Sequence, residues 1–354
     1  MELIGNKDII GQINIAIMSA RKQNRSIPHM LLSGAAGCGK TSTAKYIARL
    51  TGANLITIAA DSVKKREDVL SIIGQINHHG YDGYGRKVSN IRPSIVFIDE
   101  IHNVPLSGQE HAGIVMEEWY LPVTKREAMV DPKSIKTRND AIRWSPEFTL
   151  IGATTNDGKL SKPFKDRFKM RFLFSPYSLE ESVQIVRSHA TRLGIIINDE
   201  EAALEIAKRG RGVPRILVTL LERCRDTSSA LEYKSGLCKG SDLIEVTREI
   251  ALVTFDNLSI DITGLTVTDI NILKVLHETD GAVGLENLAI RLNESPKVLS
   301  ETVEPYLIQR GLIDRTGKGR KITDKGLQYL IEHGHIKFEL SEKYDIPRNF
   351  DRGF

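Results

Sequence analysis

Residues Gly34 to Thr41 read G-A-A-G-C-G-K-T and fit the pattern G-x-x-x-x-G-K-[ST], the loop that cradles phosphates in nucleoside triphosphatases. The flanks carry as much information as the loop. Met30-Leu31-Leu32-Ser33 is a short apolar run suited to a buried parallel strand, and Ser42 to Leu50 places Ala44, Ile47, Ala48 and Leu50 at helical spacing. A loop set between a strand end and a helix start aims backbone N–H groups and the positive end of the helix dipole at an anion. Gly34, Gly37, Cys38 and Gly39 then supply backbone, Lys40 bridges the outer phosphates, Thr41 holds Mg²⁺ and Ser42 opens the helix. The competing reading is a chance glycine turn, which these flanks reduce to roughly one in twenty.

Strand and helix signals alternate from residue 9 to about 174, which implies a doubly wound α/β domain around a parallel sheet. The candidate strands are His29–Ser33, Asn54–Ala59, Ser94–Ile98, Phe148–Ala153 and Arg171–Phe174. We expect a large ATPase domain over 1–177, a small helical domain over 178–256, a DNA-binding domain over 257–340 and a polar tail over 341–354. Two segments look inserted in the first domain. One is the glycine-rich stretch Gln75 to Pro93. The other, 121–146, alternates like a hairpin around Asp131-Pro132-Lys133 and carries Ile142 and Trp144 among basic residues. A polar linker is expected near Asp256 to Thr263. Beyond it, Ser295 to Arg310 reads as a recognition-type helix, and Asp314 to Ile322 as a basic wing bearing Arg315, Lys318, Arg320 and Lys321. Cations on a glycine-containing turn suit backbone phosphates rather than base edges; the bland alternative is a solvated hairpin.

Four further features complete an ATP site. Ser94 to Glu100 is an apolar strand ending in two carboxylates, where Asp99 can hold Mg²⁺ through water and Glu100 can polarise the attacking water. Thr149 to Thr155 is a second buried strand ending in hydroxyls, and Thr155 can orient that water. Arg167, in F-K-D-R-F, and Arg215, after Gly212-Val213-Pro214, are cations that can reach phosphates. Taken singly, either arginine is more often a surface charge.

The net charge of +4, from 49 basic and 45 acidic residues, is mild. A nucleic-acid surface must therefore be a local patch. No apolar run is long enough to span a membrane, and no signal peptide is read at the N-terminus. Cys38, Cys224 and Cys238 form no C-x-x-C pair, and their odd count points to free thiols in a reducing cytoplasm.

Read together, these motifs resemble the AAA+ superfamily, and within it the RuvB family of Holliday-junction branch-migration ATPases. The shared text includes Ile10-Gly11-Gln12, F-I-D-E-I-H at 97–102, M-E-E-W at 116–119, and P-E-F-T-L-I-G-A-T-T at 146–155. It continues with L-S-K-P-F-K-D-R-F at 160–168, R-G-V-P-R-I at 211–216 and E-P-Y-L-I-Q-R-G-L-I-D-R-T-G-K-G-R at 304–320. The resemblance implies a P-loop ATPase domain, a helical lid and a C-terminal winged helix. It implies ATP and Mg²⁺ as ligands, with Thr155 as first sensor, Arg215 as second sensor, and Arg167 as an arginine finger offered to a neighbouring subunit. Ile10 and Tyr177 would flank the adenine. It further implies a hexameric ring around duplex or four-way-junction DNA. In the family the hairpin docks on a junction-binding protein through apolar residues; here 121–146 is basic, so that particular partner does not follow, and the hairpin is expected to dock a partner, a junction-binding protein among the candidates, or to contact DNA. The chain departs from the family where Ala35, Ala36 and Cys38 replace two prolines and a leucine of the loop, and where 75–93 and 121–146 run long. Two other readings share the same ATP site: a loader that places a clamp or helicase on DNA, and a nucleotide-binding scaffold without motor activity.

Overall fold

The computed structural model describes residues 3–76, 93–123, 134–136, 141–235, 243–279 and 281–336. Five strands form one parallel sheet: β1 (Met30–Gly34), β2 (Asn54–Ala59), β3 (Ser94–Asp99), β7 (Phe148–Thr154) and β8 (Met170–Phe174), in the order β2-β3-β7-β1-β8. Each agrees with an expected strand to within a residue or so. The central strands are buried on both faces, which is why they read as unbroken apolar runs. In β3, Val96 and Ile98 join one core with Leu31 and Leu150, while Ile95 and Phe97 join the other with Met30, Leu32 and Ile151. Helices α1 (Lys7–Gln23) and α2 (Lys40–Thr51) cover the second face; α3 (Arg66–Gln75) and α4 (Leu106–Glu118) cover the first.

The 121–146 segment is a three-stranded antiparallel element. Its central strand β6 (Ala141–Trp144) lies between β4 (Tyr120–Val123) and β5 (Ser134–Lys136). Its base belongs to the ATPase core: Leu121 is fully buried, and the Ser145 N–H donates to the Trp119 carbonyl at 2.8 Å. Residues 124–133 and 137–140, and the side chains of Ile142 and Trp144, lie outside the described residues, as does most of the 75–93 insertion.

By its internal contacts the chain divides into two units. The first runs to Arg225 and takes in the short strand Ile244–Glu245; it includes helices Leu179–Arg192 and Glu200–Arg209 and the first half of Pro214–Ser235. The second holds the winged-helix core, built on Leu265, Ile272, Leu288, Leu307 and Leu330. Two expectations there are corrected. The segment near Asp256 to Thr263 is not a plain linker. Helix Arg248–Asn257 covers its start, and Asp261 accepts from the N–H groups of Thr263 and Leu265, each at 2.8 Å, and from the Tyr329 hydroxyl. Nor is 295–310 one regular helix. A π turn at Leu299–Val303 precedes Glu304–Gln309, because Pro305 lacks an N–H and its ring crowds the carbonyl four residues back.

His29 precedes β1 and ties three parts of the first unit together. Its Nδ1 accepts from the Leu150 N–H at 2.8 Å, so Nε2 carries the hydrogen and donates to the Met116 carbonyl at 3.1 Å. Its ring lies against Trp119 and Phe148, with centroids 5.8 and 5.6 Å away. Burial outweighs the Met116 bond and, with a small push from Lys169, lowers the imidazole from 6.5 to about 4. Between those values the unfolded chain takes up a proton that the native ring refuses. Native stability therefore falls as pH drops from 6.5 towards 4, and the loss is complete below that. At about 1.36 kcal/mol per pH unit this amounts to roughly 3 kcal/mol. In urea melts of wild type and His29→Gln, the stability difference should shrink by that order between pH 7 and pH 4. A difference that does not change with pH would mean that His29 is not held neutral.

Candidate active site

Parallel pairing brings the chemistry to one edge of the sheet. Ser33 pairs with Thr154, and Ile98 with Gly152, so the phosphate loop, Asp99, Glu100 and Thr155 all emerge at the carboxyl ends of adjacent strands, where open α/β sheets bind ligands. The loop from Gly34 to Gly39 leaves β1 and enters α2. Gly34, Gly37 and Gly39 have φ of 145, 82 and 92°, all disfavoured with a side chain. At Gly34 the constraint is also steric: a Cβ there would stand 2.4 Å from the Phe174 carbonyl oxygen.

Lys40 is buried and donates to the carbonyls of Gly34 and Ala35 at 2.7 and 2.8 Å. Burial lowers its ammonium below the usual lysine range, against the opposing pull of Glu100, Cys38 and Asp99. Cys38 is fully buried, and desolvation raises its thiol, so it packs as a small hydrophobe. The Thr41 hydroxyl donates to Asp99 Oδ2 at 3.4 Å. One hydroxyl and one carboxylate at a strand tip suit a hard cation that keeps several waters, so this donor set fits Mg²⁺. Ser42 is exposed on the first turn of α2.

Glu100 adopts a left-handed backbone, φ 47°, uncommon for a residue with a side chain. Its carboxylate is held from two directions. The N–H and Oγ1 of Thr155 donate to Oε2 at 3.2 and 2.9 Å. The Nδ1 of His102 lies 3.1 Å from the same oxygen and 2.9 Å from Thr154 Oγ1. A ring lone pair facing a carboxylate would be repelled, so Nδ1 carries the hydrogen. Sequence reasoning singled out Glu100 and Thr155 but not His102; its signal was position, two residues after the carboxylate on a short turn.

The lid closes the other side of the loop. The Tyr177 N–H donates to the Gly212 carbonyl at 2.8 Å, and its hydroxyl donates to the Cys38 carbonyl at 3.5 Å. Arg215 stands over the loop: a Cβ at Gly37 would come within 2.9 Å of Arg215 Cβ and of Val213 Cγ1. Asn6, also missed in the sequence, hydrogen-bonds Tyr177, and Gly5 packs on Tyr177 and Glu181. Ile10 follows in the first turns of α1, half-buried, with its N–H on the Asn6 carbonyl at 3.0 Å. Arg167 is not brought to this group. Its Nε–H donates to Glu117 at 3.1 Å and its Nη1 to the Pro163 carbonyl at 2.9 Å.

In the winged-helix unit Arg315, Lys318 and Lys321 are exposed on the hairpin Ile313–Thr316 and Gly319–Ile322. Arg320, expected among the phosphate-binding cations, is instead buried. Its Nε and Nη2 donate to the two oxygens of Glu304 at 2.6 and 3.0 Å. A guanidinium already spent on a bidentate buried carboxylate is not offered to DNA; it fixes the wing to helix Glu304–Gln309.

Fold and site together define a P-loop ATPase of AAA+ type with a helical lid and a winged-helix domain. Three family models match in order: the Holliday junction DNA helicase RuvB P-loop domain over residues 1–173, the RuvB AAA lid domain over 177–236 and the RuvB C-terminal winged helix domain over 262–331. The Holliday junction branch migration complex subunit RuvB of Wolbachia sp. subsp. Drosophila simulans (strain wRi) is 33% identical over 329 residues, covering 93% of this chain and 92% of its own. That of Acholeplasma laidlawii (strain PG-8A) is 35% identical, covering 91% and 87%. Among solved structures, the Thermotoga maritima RuvB Holliday junction branch migration motor aligns with a TM-score of 0.73 at 29% identity, over 92% of this chain and 95% of that one. The chain belongs to the RuvB family.

Replacing Glu100 with glutamine keeps the shape and removes the carboxylate charge. Glu100→Gln should retain nucleotide affinity while ATP turnover falls by about 10²-fold or more. Lys40→Ala should lose affinity instead. Turnover assays beside titrations with a fluorescent nucleotide separate the two, and near-normal turnover in Glu100→Gln would remove Glu100 from the chemistry.

Proposed function

We propose that this chain is an ATP-driven motor that moves duplex DNA, acting as a branch-migration subunit on four-way junctions in a homo-oligomeric, hexameric ring. The observation that carries the reading is the complete hydrolytic set at the sheet edge, Lys40, Asp99, Glu100 and Thr155, on a chain that also bears the family's winged helix. Thr41 and Asp99 would hold Mg²⁺, which neutralises charge on the phosphate oxygens. Lys40 and the loop N–H groups bind the phosphates, Tyr177 and Ile10 line the base side, and Arg215 brings the lid to the phosphates. Glu100, aimed by Thr155 and His102, takes the proton of the attacking water. Arg167 completes the site of a neighbouring copy, since its hydrogen bonds in this chain run to Glu117 and Pro163 rather than to the phosphate loop. Hydrolysis is then tied to assembly, as a motor requires.

A junction-binding protein on the 121–146 hairpin belongs to the same proposal. The buried base at Leu121 anchors the hairpin in the ATPase core, so force on it is passed to α4. A cytoplasmic setting agrees with the described helices, none of which is long and apolar enough to cross a membrane.

Arg315, Lys318 and Lys321 supply duplex affinity through phosphates. Each cation–phosphate pair removed should flatten the dependence of log affinity on log salt by roughly 0.9. Arg315→Ala with Lys318→Ala should therefore weaken all duplex sequences about equally, lower the slope, and uncouple ATP hydrolysis from strand exchange on a synthetic four-way junction. Unchanged slopes and affinities would mean that the wing does not touch DNA. A single burst of hydrolysis per assembly event, without continued strand exchange, would make the protein a loader instead.

A further inference from the structure

Arg167 has a seat of its own on α4. A Cβ at Gly113 would lie 3.1 to 3.2 Å from the Cδ, Nε and Cζ of Arg167, so the arginine side chain rests flat on bare helix backbone. One helical turn later Glu117 meets the same side chain and takes its Nε–H. The Pro163 carbonyl takes one hydrogen of Nη1. A guanidinium has five N–H donors; these two bonds leave three, two of them on Nη2. The Nη2 hydrogens and the second Nη1 hydrogen are what the side chain has left to offer a phosphate. The pair is partly open, with side-chain exposures of 26% for Arg167 and 60% for Glu117. The end of α4 is itself fixed, because the Met116 carbonyl is bonded to buried His29 and β4 begins at Tyr120.

We infer that Glu117 and Gly113 form a positioning seat for the arginine finger, with Glu117 as a positioning residue that pins the Nε side of the guanidinium and leaves Nη2 available. Glu117 takes one hydrogen only, unlike the two-bond grip of Glu304 on Arg320, so this contact orients Arg167 rather than restraining it. The inference rests on the reading of Arg167 as a finger for a neighbouring copy. It extends that reading to two residues on another helix, both within the last two turns before the hairpin strand β4, so that the seat and the hairpin share one helix end.

The test is steady-state ATP hydrolysis by the full chain on duplex DNA, with thermal melts of every variant. Misplacing a reacting group by about 1 Å can cost 10²-fold, so Glu117→Ala, which loosens the finger without removing it, should lower kcat by roughly tenfold. KM for ATP should stay within about twofold, since the finger acts in the transition state rather than in uniform binding. Glu117→Gln keeps an acceptor for Nε–H and should recover most of the rate. Gly113→Ala, a change that favours the helix, should lower kcat by lifting the side chain from its seat. In an Arg167→Ala background Glu117→Ala should cost nothing further, the non-additivity expected of two residues acting as one. A wild-type or raised kcat in Glu117→Ala, or the same fractional loss in the Arg167→Ala background, would overturn the seat while leaving the finger intact. Normal turnover in Arg167→Ala would overturn the finger reading, and the seat with it.

Discussion

Thr155 reaches Glu100 through both its N–H and its hydroxyl, at 3.2 and 2.9 Å, and much of the site depends on that pairing. It joins the ends of β3 and β7, which are adjacent only because the sheet is parallel and ordered β2-β3-β7-β1-β8. It also holds a glutamate whose backbone sits at φ 47°, a conformation that persists when its surroundings fix it. His102 braces the same oxygen from the far side. The two faces of apolar packing beneath, with Phe97 on one and Val96 on the other, hold the strand ends in register, so the position of the carboxylate is inherited from the core.

The winged-helix unit uses charge in two ways on one hairpin. Arg315, Lys318 and Lys321 face water, where cations cost little to keep and can exchange counterions for phosphates. Arg320 is buried against Glu304, and there the desolvation of both groups is offset only because their two hydrogen bonds are bidentate. Gly319 next to it has φ 137°, and a Cβ there would stand 2.3 Å from the Val283 carbonyl oxygen, so the wing closes tightly on the chain before helix Leu285–Leu292. Arg320 is thus structural support for its exposed neighbours.

Much of this was legible in the residues. The central strands were readable because doubly covered strands leave uninterrupted apolar runs, the edge strands β2 and β8 because their apolar residues recur between exposed ones, and the loop because its glycines and Lys40 have one well-known use between a strand and a helix. Asp99, Glu100 and Thr155 followed from strand ends in a parallel sheet. Arg320 was misread although a signal existed: it lies two residues before the partly buried Ile322, so strand alternation turns it to the core side. Pro305 likewise marked a break within 295–310 that helical periodicity concealed. His102 had a positional signal, two residues after Glu100, that was passed over. Asn6 and Glu117 were out of reach, because each matters through a partner 50 or more positions away rather than through local pattern: Tyr177 for Asn6 and Arg167 for Glu117. Asp261 looked like linker because a side chain that caps nearby N–H groups has the same composition as a solvated turn.

On the proposed mechanism a working site takes Glu100 from one copy and Arg167 from another. Mixing Glu100→Gln subunits with Arg167→Ala subunits probes this without intermediaries, because each variant alone lacks one half of every site. Each by itself should keep only a small residual turnover, and mixtures should recover part of the lost rate, with a maximum near equal proportions. Failure to recover at any ratio, with mixed assemblies shown to form, would contradict the shared site and return both residues to a single chain.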